Sequence, residues 1–355
     1  MMVLDRDAVR AAVYGGAVLG GGGGGWVDLG LDTGNLAVAI DRLCLYHPSE
    51  LDAATMVATV SAVGAPAATG RYVTPRHFVR AVEILRDGLG VAVGGLITNE
   101  NGGSATVNGW VQAAVLGLRV IDAPCNGRAH PTGVMGSLGL HRVAGYQSRQ
   151  AAVGGDPDRG QYLELAVTGG LQAASAMVRQ ASVQAGGVVA VARNPVTLEY
   201  AREHGAPGAV SQAIKVGRAI LEHEGHPTRM LEAAAMATNG EIMATSAVSR
   251  LRLETSGGFD AGEVEMESGH VLTFWNEYMT LDLGDQRLGT FPDLIMTLDA
   301  RTGLPITTAE VRQGQLLAVL WAHRKNLILG AGMRDAALFA PAEAAVGKKL
   351  VEHVF

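Results

Sequence analysis

The chain has 355 residues, of which 48% are hydrophobic and 17% are charged. This composition is typical of a globular protein, and the length favours two domains over a single hydrophobic core. A net charge of -6 without any run of Lys or Arg argues against nucleic acid and anionic membranes as partners. No uninterrupted apolar run approaches the ~20 residues that a membrane span requires.

The first part of the chain alternates between helical and strand-like patterns. Asp5 begins the first helix. Further helices are predicted over 35–45, from Pro75 to about Gly88 with Thr74 as the N-cap, and over 108–116. Apolar runs predict strands over 56–63, 91–97 and 115–121. The recurrence of strand, loop and helix predicts parallel βαβ units, so we expect an α/β fold for the N-terminal part.

Six consecutive glycines, Gly20 to Gly25, follow the first helix. They form either a flexible hinge or a loop whose bare amides approach an anion or a ligand carbonyl, in which case Gly22 and Gly23 would bind substrate. No Gly-Lys-Ser/Thr follows the run, and no strand precedes it. We therefore expect no nucleotide cofactor.

The second part begins with helices and then changes texture. Helices are predicted over 163–184, 198–204, 209–223 and 230–237, with a strand over 188–192 that breaks at Asn194-Pro195. From about 240 to 330 the chain shows short alternating runs separated by glycine turns, which is typical of a small β sandwich or barrel. We therefore expect an N-terminal α/β domain over 1–165 and a C-terminal domain over 166–355.

One polar loop, 122–133, concentrates residues that carry chemistry. Asp122, Cys125, Asn126, Arg128 and His130 follow a predicted buried strand, and Pro and Gly punctuate the loop. In open α/β sheets, ligands bind at such strand ends. The alternative is that each residue is an ordinary turn or core residue.

A second polar loop, 98–103, follows another predicted strand and contains Glu100 and Asn101. We expect the loops 98–103 and 122–133 to line one cleft. In the β-rich part, Asn276, Glu277 and Asp293 interrupt or end apolar runs, although a turn or edge position explains each of them as well. Asn276 or Glu277 is expected to close the cleft from the opposite side.

Several segments, which follow one another along nearly the whole chain, resemble the S-methyl-thiohydantoin desulfurase family, which is often found near hydantoinases. The segments are G-G-A-V-L-G-G-G-G-G-G at 15–25, N-E-N-G-G at 99–103, D-A-P-C-N-G-R-A-H-P at 122–131, T-S-G-G-F-D-A-G-E-V at 255–264, W-N-E-Y at 275–278, and F-P-D-L-I followed by L-D-A-R-T-G-L-P-I-T-T at 291–308. The resemblance implies an α/β domain followed by a β-containing domain. It also implies hydrolytic loss of sulfur from a 2-thiohydantoin or S-methyl-thiohydantoin ring, and one branch is associated with the breakdown of thiol-bearing histidine betaines.

The central loop departs from the commoner pattern of this family. Many members have a second acid-Gly and an aromatic-Pro-Glu where this chain has Pro124-Cys125 and His130-Pro131-Thr132. The substrate or the mechanism is therefore open. A hydantoinase-like ring-opening amidohydrolase and a non-catalytic ligand-binding subunit remain alternatives.

Two mechanisms suit the residues of the central loop. In the first, Asp122, Cys125 and His130, with or without Glu100, hold one divalent metal such as zinc, which activates water. In the second, Cys125 is a nucleophile that His130 activates and Asp122 orients. Glu100 is a further acid–base candidate in either case. Both mechanisms predict that Cys125→Ser folds but loses turnover.

The expected partner is a small-molecule substrate. The residues expected to bind it are Arg128, through a substrate carboxylate, and Asn101, Asn126, Gly22, Gly23, Asn276 and Glu277. The chain has two cysteines, Cys44 and Cys125, and no charged segment precedes an apolar N-terminal run. These features predict a cytoplasmic, thiol-reducing location, and we also expect a homo-oligomer.

Overall fold

A computed structural model describes all 355 residues and contains two eight-stranded sheets. The strands of the first sheet are β1 (Met2–Val3), β2 (Cys44–Tyr46), β3 (Met56–Gly64), β4 (Gly95–Thr98), β5 (Arg119–Ile121), β6 (Ser148–Gly154), β7 (Leu163–Gly169) and β8 (Val188–Thr197). Their spatial order is β1-β2-β5-β4-β3-β8-β6-β7. The strands β2, β5, β4 and β3 run parallel, and the remaining pairs are antiparallel.

The helices that accompany this sheet are α1 (Arg6–Leu19), α2 (Val27–Ile40), α3 (Pro75–Glu83), α4 (Trp110–Leu116), α5 (Leu171–Gln184) and α6 (Leu198–His204). Helices cover both faces of the sheet. Ala151 and Val153 of β6 share a core with α3, whereas Ala152 between them shares a core with α5. Alternate residues of a strand point to opposite faces, so the apolar runs of the sheet are buried on both sides.

Several local predictions for this part are confirmed. Asp5 caps α1 by accepting a hydrogen bond from the amide of Ala8 at 2.8 Å. Thr74 is the N-cap of α3, Pro75 is its first residue, and a π-helical turn extends it over Ile84–Gly88. The strand predicted over 56–63 corresponds to β3. Caps and uninterrupted β-branched runs are local signals, which explains this agreement.

Other boundaries were wrong where tertiary pairing overrides the local pattern. The helix predicted over 163–184 is a strand up to Gly169, and α5 begins only at Leu171. The predicted helix over 35–45 ends at Ile40, and Cys44–Tyr46 pairs with β5. The predicted strands over 91–97 and 115–121 shorten to β4 and β5.

Strand β8 also departs from the sequence prediction. It continues through Asn194-Pro195, which was predicted to break it. The register against β3 shifts there, and Asn194 has φ 51°, so the two residues form a bulge. A bulge tolerates Pro because the ladder requires no donor at that position. Since β8 lies within the first sheet, the sheet draws strands from both sides of the predicted boundary at 165/166, and that boundary stays a prediction.

The second sheet is entirely antiparallel and confirms the β-rich C-terminal module. Its strands are β9 (Glu241–Ser256), β10 (Phe259–Met266), β11 (His270–Trp275), β12 (Glu277–Leu283), β13 (Gln286–Thr290), β14 (Leu294–Asp299), β15 (Pro305–Ile306) and β16 (Leu316–Ala322). Strand β9 pairs with β16 through its first half and with β10 through its second half. Residues from β10–β12 and from β14 and β16 share one core, as in a sandwich.

The helices α7 (Ala209–Leu221), α8 (Pro227–Ala237), α9 (Ala340–Val346) and α10 (Val351–Val354) complete the fold. Helix α7 packs tightly against α1, because a side chain on Gly15 would collide with the backbone of Ala213 and one on Gly217 with that of Ala11. This contact joins the first sheet to the second through their helices. No helix is both long and apolar enough to cross a membrane.

Candidate active site

A cleft lies between loops of the first sheet and the β11–β12 turn of the second sheet. Its lining includes Gly24 and Gly25 from the glycine run, Ser61 to Gly64 from β3, Thr98 to Glu100, His130 to Gly133, Arg179, Arg193, Asn276 and Glu277. The two polar loops therefore meet at one site. Asn276 and Glu277 close it from the β-rich module, as the sequence predicts.

Glu100 and His130 are the central pair of this cleft. Oε2 of Glu100 lies 3.2 Å from Nε2 of His130, and it also accepts the backbone N–H of His130 at 3.2 Å. Asn99 donates through Nδ2 to both groups, at 3.1 Å each. Two further backbone bonds tie the loops together, from Cys125 to the carbonyl of Thr98 and from Asn126 to that of Asn99.

The hydrogen bonds assign a protonation pattern to the pair. Nδ1 of His130 lies 3.0 Å from the carbonyl oxygen of Thr132, which only accepts, so Nδ1 carries the hydrogen and Nε2 has a lone pair. Burial lowers the pKa of His130 to about 3, which keeps the ring neutral. Burial raises the pKa of Glu100 to about 7. The Nε2 lone pair accepts the hydrogen of Asn99 Nδ2, and Glu100 can exchange a proton near neutral pH.

Two arginines that the sequence did not predict line the cleft, Arg193 fully buried and Arg179 partly buried. Arg193, on β8, donates to Oδ1 of Asn99 at 2.9 Å. Arg179, on α5, donates to the carbonyls of Pro131, Gly64 and Gly258 and lies 4.0 Å from the Phe259 ring centroid. Their hydrogen-bond partners are thus carbonyl or amide oxygens. Burial lowers the pKa of both side chains, to about 10 for Arg179, yet both remain cationic at neutral pH.

Weak sequence signals for these arginines exist. Arg193 is a charged residue directly after the apolar run Val188–Ala192, and Arg179 interrupts an Ala-rich helix. Neither falls in a turn motif, so composition alone does not single them out. Only the arrangement of β8 and α5 around the first sheet brings them to the cleft.

Asp122 and Cys125 do not line the cleft, in contrast to their predicted catalytic roles. The Asp122 carboxylate accepts the backbone N–H groups of Val210 and Ser211 and the Ser211 hydroxyl, at 2.5–3.1 Å, at the N-terminus of α7. Cys125 is 1% exposed, packs in an apolar cluster, and lies 3.3 Å from Oγ1 of Thr59. Burial raises the pKa of the Cys125 thiol to about 11, which opposes thiolate formation.

Arg128, Asn101 and Asn126 are also turned away from the cleft. Arg128 donates to the carbonyls of Asp293 and Tyr278 and lies 4.7 Å from the Phe291 ring centroid. Asn101 donates to the carbonyls of Gly127 and Ala209. Asn126 donates to the carbonyl of Met135 and accepts the amide of Gly330. Their hydrogen bonds go to groups of the protein itself and hold loops together, and Nε of Arg128 has no partner.

The glycine run is ordered rather than a bare hinge. Gly21, Gly22, Gly24 and Gly25 all have positive φ, from 60° to 94°. A side chain on Gly23 would collide with the carboxylate of Glu277. Gly22 and Gly23, predicted to bind substrate, therefore pack against the β-rich module, and the neighbouring Gly24 and Gly25 reach the cleft instead.

The predicted metal-ligand set is not assembled. The structure contains no group of three or more His, Cys, Asp or Glu side chains placed to hold a metal ion. Of the set Asp122, Cys125 and His130, only His130 lines the cleft. Asp122 binds the start of α7, and Cys125 is enclosed by apolar side chains. That the protein uses one divalent metal stays a prediction.

Comparison with known proteins identifies the family. The model of the S-Me-THD-like N-terminal domain matches residues 7–157, and that of the S-Me-THD-like C-terminal domain matches residues 171–331. The chain belongs to the S-Me-THD-like family. This confirms the resemblance to the S-methyl-thiohydantoin desulfurase family.

The crystal structure of a protein from Chromobacterium violaceum has the same fold. It is 21% identical, with a TM-score of 0.73 over 98% of each chain. No curated protein matches the sequence. The cytoplasmic location and the homo-oligomeric state stay predictions.

Proposed function

We propose that the protein hydrolyses a 2-thiohydantoin-type ring, releasing sulfide or a thiol and leaving a hydantoin. The proposal rests chiefly on one observation: in a chain of the S-Me-THD-like family, a Glu100–His130 pair lines a cleft between the two sheets. Such a pair supplies what hydrolysis requires, a group that removes a proton from water beside the ring carbon.

Glu100 is the proposed general base. Its pKa of about 7 leaves it partly ionised at neutral pH, where a carboxylate of ordinary pKa would be a weaker base. Neutral His130 donates its backbone N–H to Oε2 of Glu100, and its Nε2 lies 3.2 Å from the same oxygen. Asn99, fixed by Arg193, completes the support. The water attacks C2 of the ring while its proton passes to Glu100.

The arginines suit a polar, electron-rich ring. Arg179 and Arg193 place two guanidinium groups in the lining, and their hydrogen bonds go to neutral oxygens of the protein. Their charges therefore remain uncompensated by an ion pair of their own. Positive charge near the ring stabilises the negative charge that develops as water adds to C2. We propose that the ligand of the cleft is a small molecule with this electron distribution.

The first experiment offers the purified protein three substrates: an S-methyl-thiohydantoin, a 2-thiohydantoin and a hydantoin. We expect methanethiol from the first and sulfide from the second, each with an equal amount of hydantoin, and no ring opening of the third. Carbamoyl product from the third substrate would favour the amidohydrolase alternative. If no substrate loses its sulfur and no ring opens, the result would favour a ligand-binding protein.

The second experiment compares Glu100→Gln with a matched control. Glutamine preserves the shape but cannot accept a proton, so we expect kcat to fall by about 10²–10⁴-fold. Glu199→Gln, on an exposed face of α6, should leave kcat unchanged. Equal activity of Glu100→Gln and the control would contradict the role of Glu100 as the base.

The same samples test the expected metal. Elemental analysis of wild type and of Cys125→Ser measures bound zinc directly. Stoichiometric zinc lost together with activity in Cys125→Ser would restore the interpretation of Cys125 as a ligand. Zinc retained in this variant would require ligands other than the set predicted from the sequence.

A further inference from the structure

Glu277 faces Glu100 across the cleft from the other module and has an unusual environment. It is the first residue of β12, lines the cleft, and is only 2% exposed. Its Oε2 atom is buried and has no hydrogen-bond partner. A buried carboxyl oxygen without a partner costs free energy, so its retention calls for an explanation such as a ligand or a water.

The backbone holds this side chain in place through a strained neighbour. Asn276 has φ 58°, in the left-handed region that non-glycine residues rarely adopt. Three hydrogen bonds hold it there: its N–H donates to the carbonyl of Asp260, its Oδ1 accepts the amide of Asp260, and its carbonyl accepts the Thr308 hydroxyl, at 2.5–2.9 Å. Strain of this kind is concentrated at functional sites.

The glycine run leaves space for the carboxyl group on the other side. Oε1 of Glu277 packs against Gly23, where any side chain would displace it. The positions of the glycine and of the strained turn are independent features of the fold. Both place one carboxyl group of the β-rich module in a cleft built mainly by the first sheet.

Nearby charges do not convert Glu277 into a fixed carboxylate. Two cations, Arg128 and Arg179, act on it and lower its pKa. Arg128 directs its two Nη atoms to the carbonyls of Tyr278 and Asp293, and Arg179 directs its Nη atoms to the carbonyls of Gly64, Gly258 and Pro131. Burial raises the pKa of Glu277 well above its usual value, and the proximity of Glu100 raises it further. Of two carboxyl groups that share a site, one keeps its proton when the other ionises.

We infer that Glu277 is the general acid of the reaction, delivering its proton to the sulfur as the C2–S bond breaks. This assignment rests on the proposed desulfurisation and extends it, since the sequence suggested only that Glu277 binds substrate. It divides the chemistry between the modules: Glu100 of the first sheet acts on water, and Glu277 of the second acts on the leaving group.

For an S-methyl ring, every proton and electron pair is accounted for within the cleft. Water adds to C2; one of its protons passes through Glu100 to the ring nitrogen, which receives the electron pair of the C=N bond. The C2–S bond then breaks with its electron pair on sulfur, and sulfur takes the proton of Glu277, so that methanethiol leaves. The hydroxyl on C2 becomes a carbonyl by returning its proton to the Glu277 carboxylate. Ring and water thus give hydantoin and methanethiol, and both carboxyl groups regain their starting states.

The test varies the need for a proton on the leaving group. An S-methyl ring and an S-(2,2,2-trifluoroethyl) ring release thiolates of different basicity, because the fluorinated thiolate is a much weaker base and leaves unaided. For Glu277→Gln we expect kcat to fall about 10²–10⁴-fold on the S-methyl ring and less than about tenfold on the fluorinated ring. Glu267→Gln, in an exposed turn of the same module, should be unchanged on both.

Each outcome bears on a separate claim. Equal losses on the two rings, or no loss on either, would overturn the acid role of Glu277, because a positioning residue does not distinguish leaving groups. If Glu277→Gln does not fold, wild type still decides: rates that rise steeply as the thiol becomes more acidic show an unassisted departure and overturn the inference. Wild type that releases no thiol from any ring would overturn the proposed desulfurisation and this assignment with it.

Discussion

The loop 122–133 has two halves with different tasks. In Asp122–Arg128, the side chains form their hydrogen bonds with protein groups: α7 amides for Asp122, Thr59 for Cys125, and carbonyls of the β-rich module for Arg128. In His130–Gly133, the residues line the cleft, and Nε2 of His130 faces Glu100. The two halves contain similarly reactive residue types, yet only the second lines the cleft.

The difference separates polar side chains that bind only to the protein from those that face the cleft. A buried side chain whose hydrogen bonds are all made within the protein stabilises one arrangement and has nothing left for a substrate. Glu100, His130 and Glu277 instead retain an exchangeable proton or an unpaired oxygen. Variants of the first half should therefore alter stability, and variants of the second half and its partners should alter turnover.

The largest expected effect on stability comes from Arg128→Met. This change leaves the carbonyls of Tyr278 and Asp293 without their donor in a fully buried place, so we expect the free energy of unfolding to fall by about 3–5 kcal/mol. Denaturant unfolding measures it, with the exposed Arg252→Met as the control. The folded fraction should retain wild-type KM; a large rise in KM at unchanged stability would instead support the predicted substrate contact of Arg128.

The raised pKa of Glu100 makes the free energy of unfolding depend on pH. Its pKa is about 7 in the folded protein against an ordinary value of 4.5, so its protonation contributes stability that is fully present below pH 4.5 and is lost as pH rises through 7. Glu100→Gln does not titrate. We expect this variant to gain on the order of 2–3 kcal/mol relative to wild type between pH 5 and pH 8.5. A constant difference between the two proteins across this range would contradict the raised pKa.

Asp122→Asn tests the structural role of the first half of the loop, because Asp122 binds the N-terminus of α7. In wild type, the carboxylate accepts the backbone N–H groups of Val210 and Ser211. The side-chain NH2 of Asn cannot accept a hydrogen bond, so we expect the free energy of unfolding to fall by about 2 kcal/mol. Asp285→Asn, in an exposed turn, is the matched control. Turnover per folded molecule should stay near that of wild type. A collapse of kcat with unchanged stability would return Asp122 to the chemistry.

The smallest expected effect belongs to Cys125→Ser. A serine hydroxyl fits the volume and can pair with Thr59, so we expect a loss of about 1 kcal/mol and near wild-type kcat. The partly buried Cys44→Ser serves as the control for removal of a thiol. The sequence predicts the opposite result, folding retained and turnover lost. Such an outcome would show that the thiol reaches the reaction despite its burial.

Local sequence signals determined much of this protein. Asp5 and Thr74 predicted where their helices begin, because N-cap preferences depend on a few adjacent residues. The short alternating runs after residue 240 predicted an antiparallel β-rich module, because period-two patterns with glycine turns have few other solutions. Polar loops after apolar strands located the cleft through Glu100 and His130.

Only the tertiary structure decided which polar residues remain free to act. Asp122 and His130 look equally reactive in the sequence, but Asp122 meets amides 88 and 89 residues away, whereas His130 meets Glu100 beside open space. Arg193 and Arg179 reach the cleft because β8 inserts between β3 and β6 and α5 covers that face. Hydrogen-bond satisfaction and burial depend on partners distant in the chain, and no pattern within one loop contains that information.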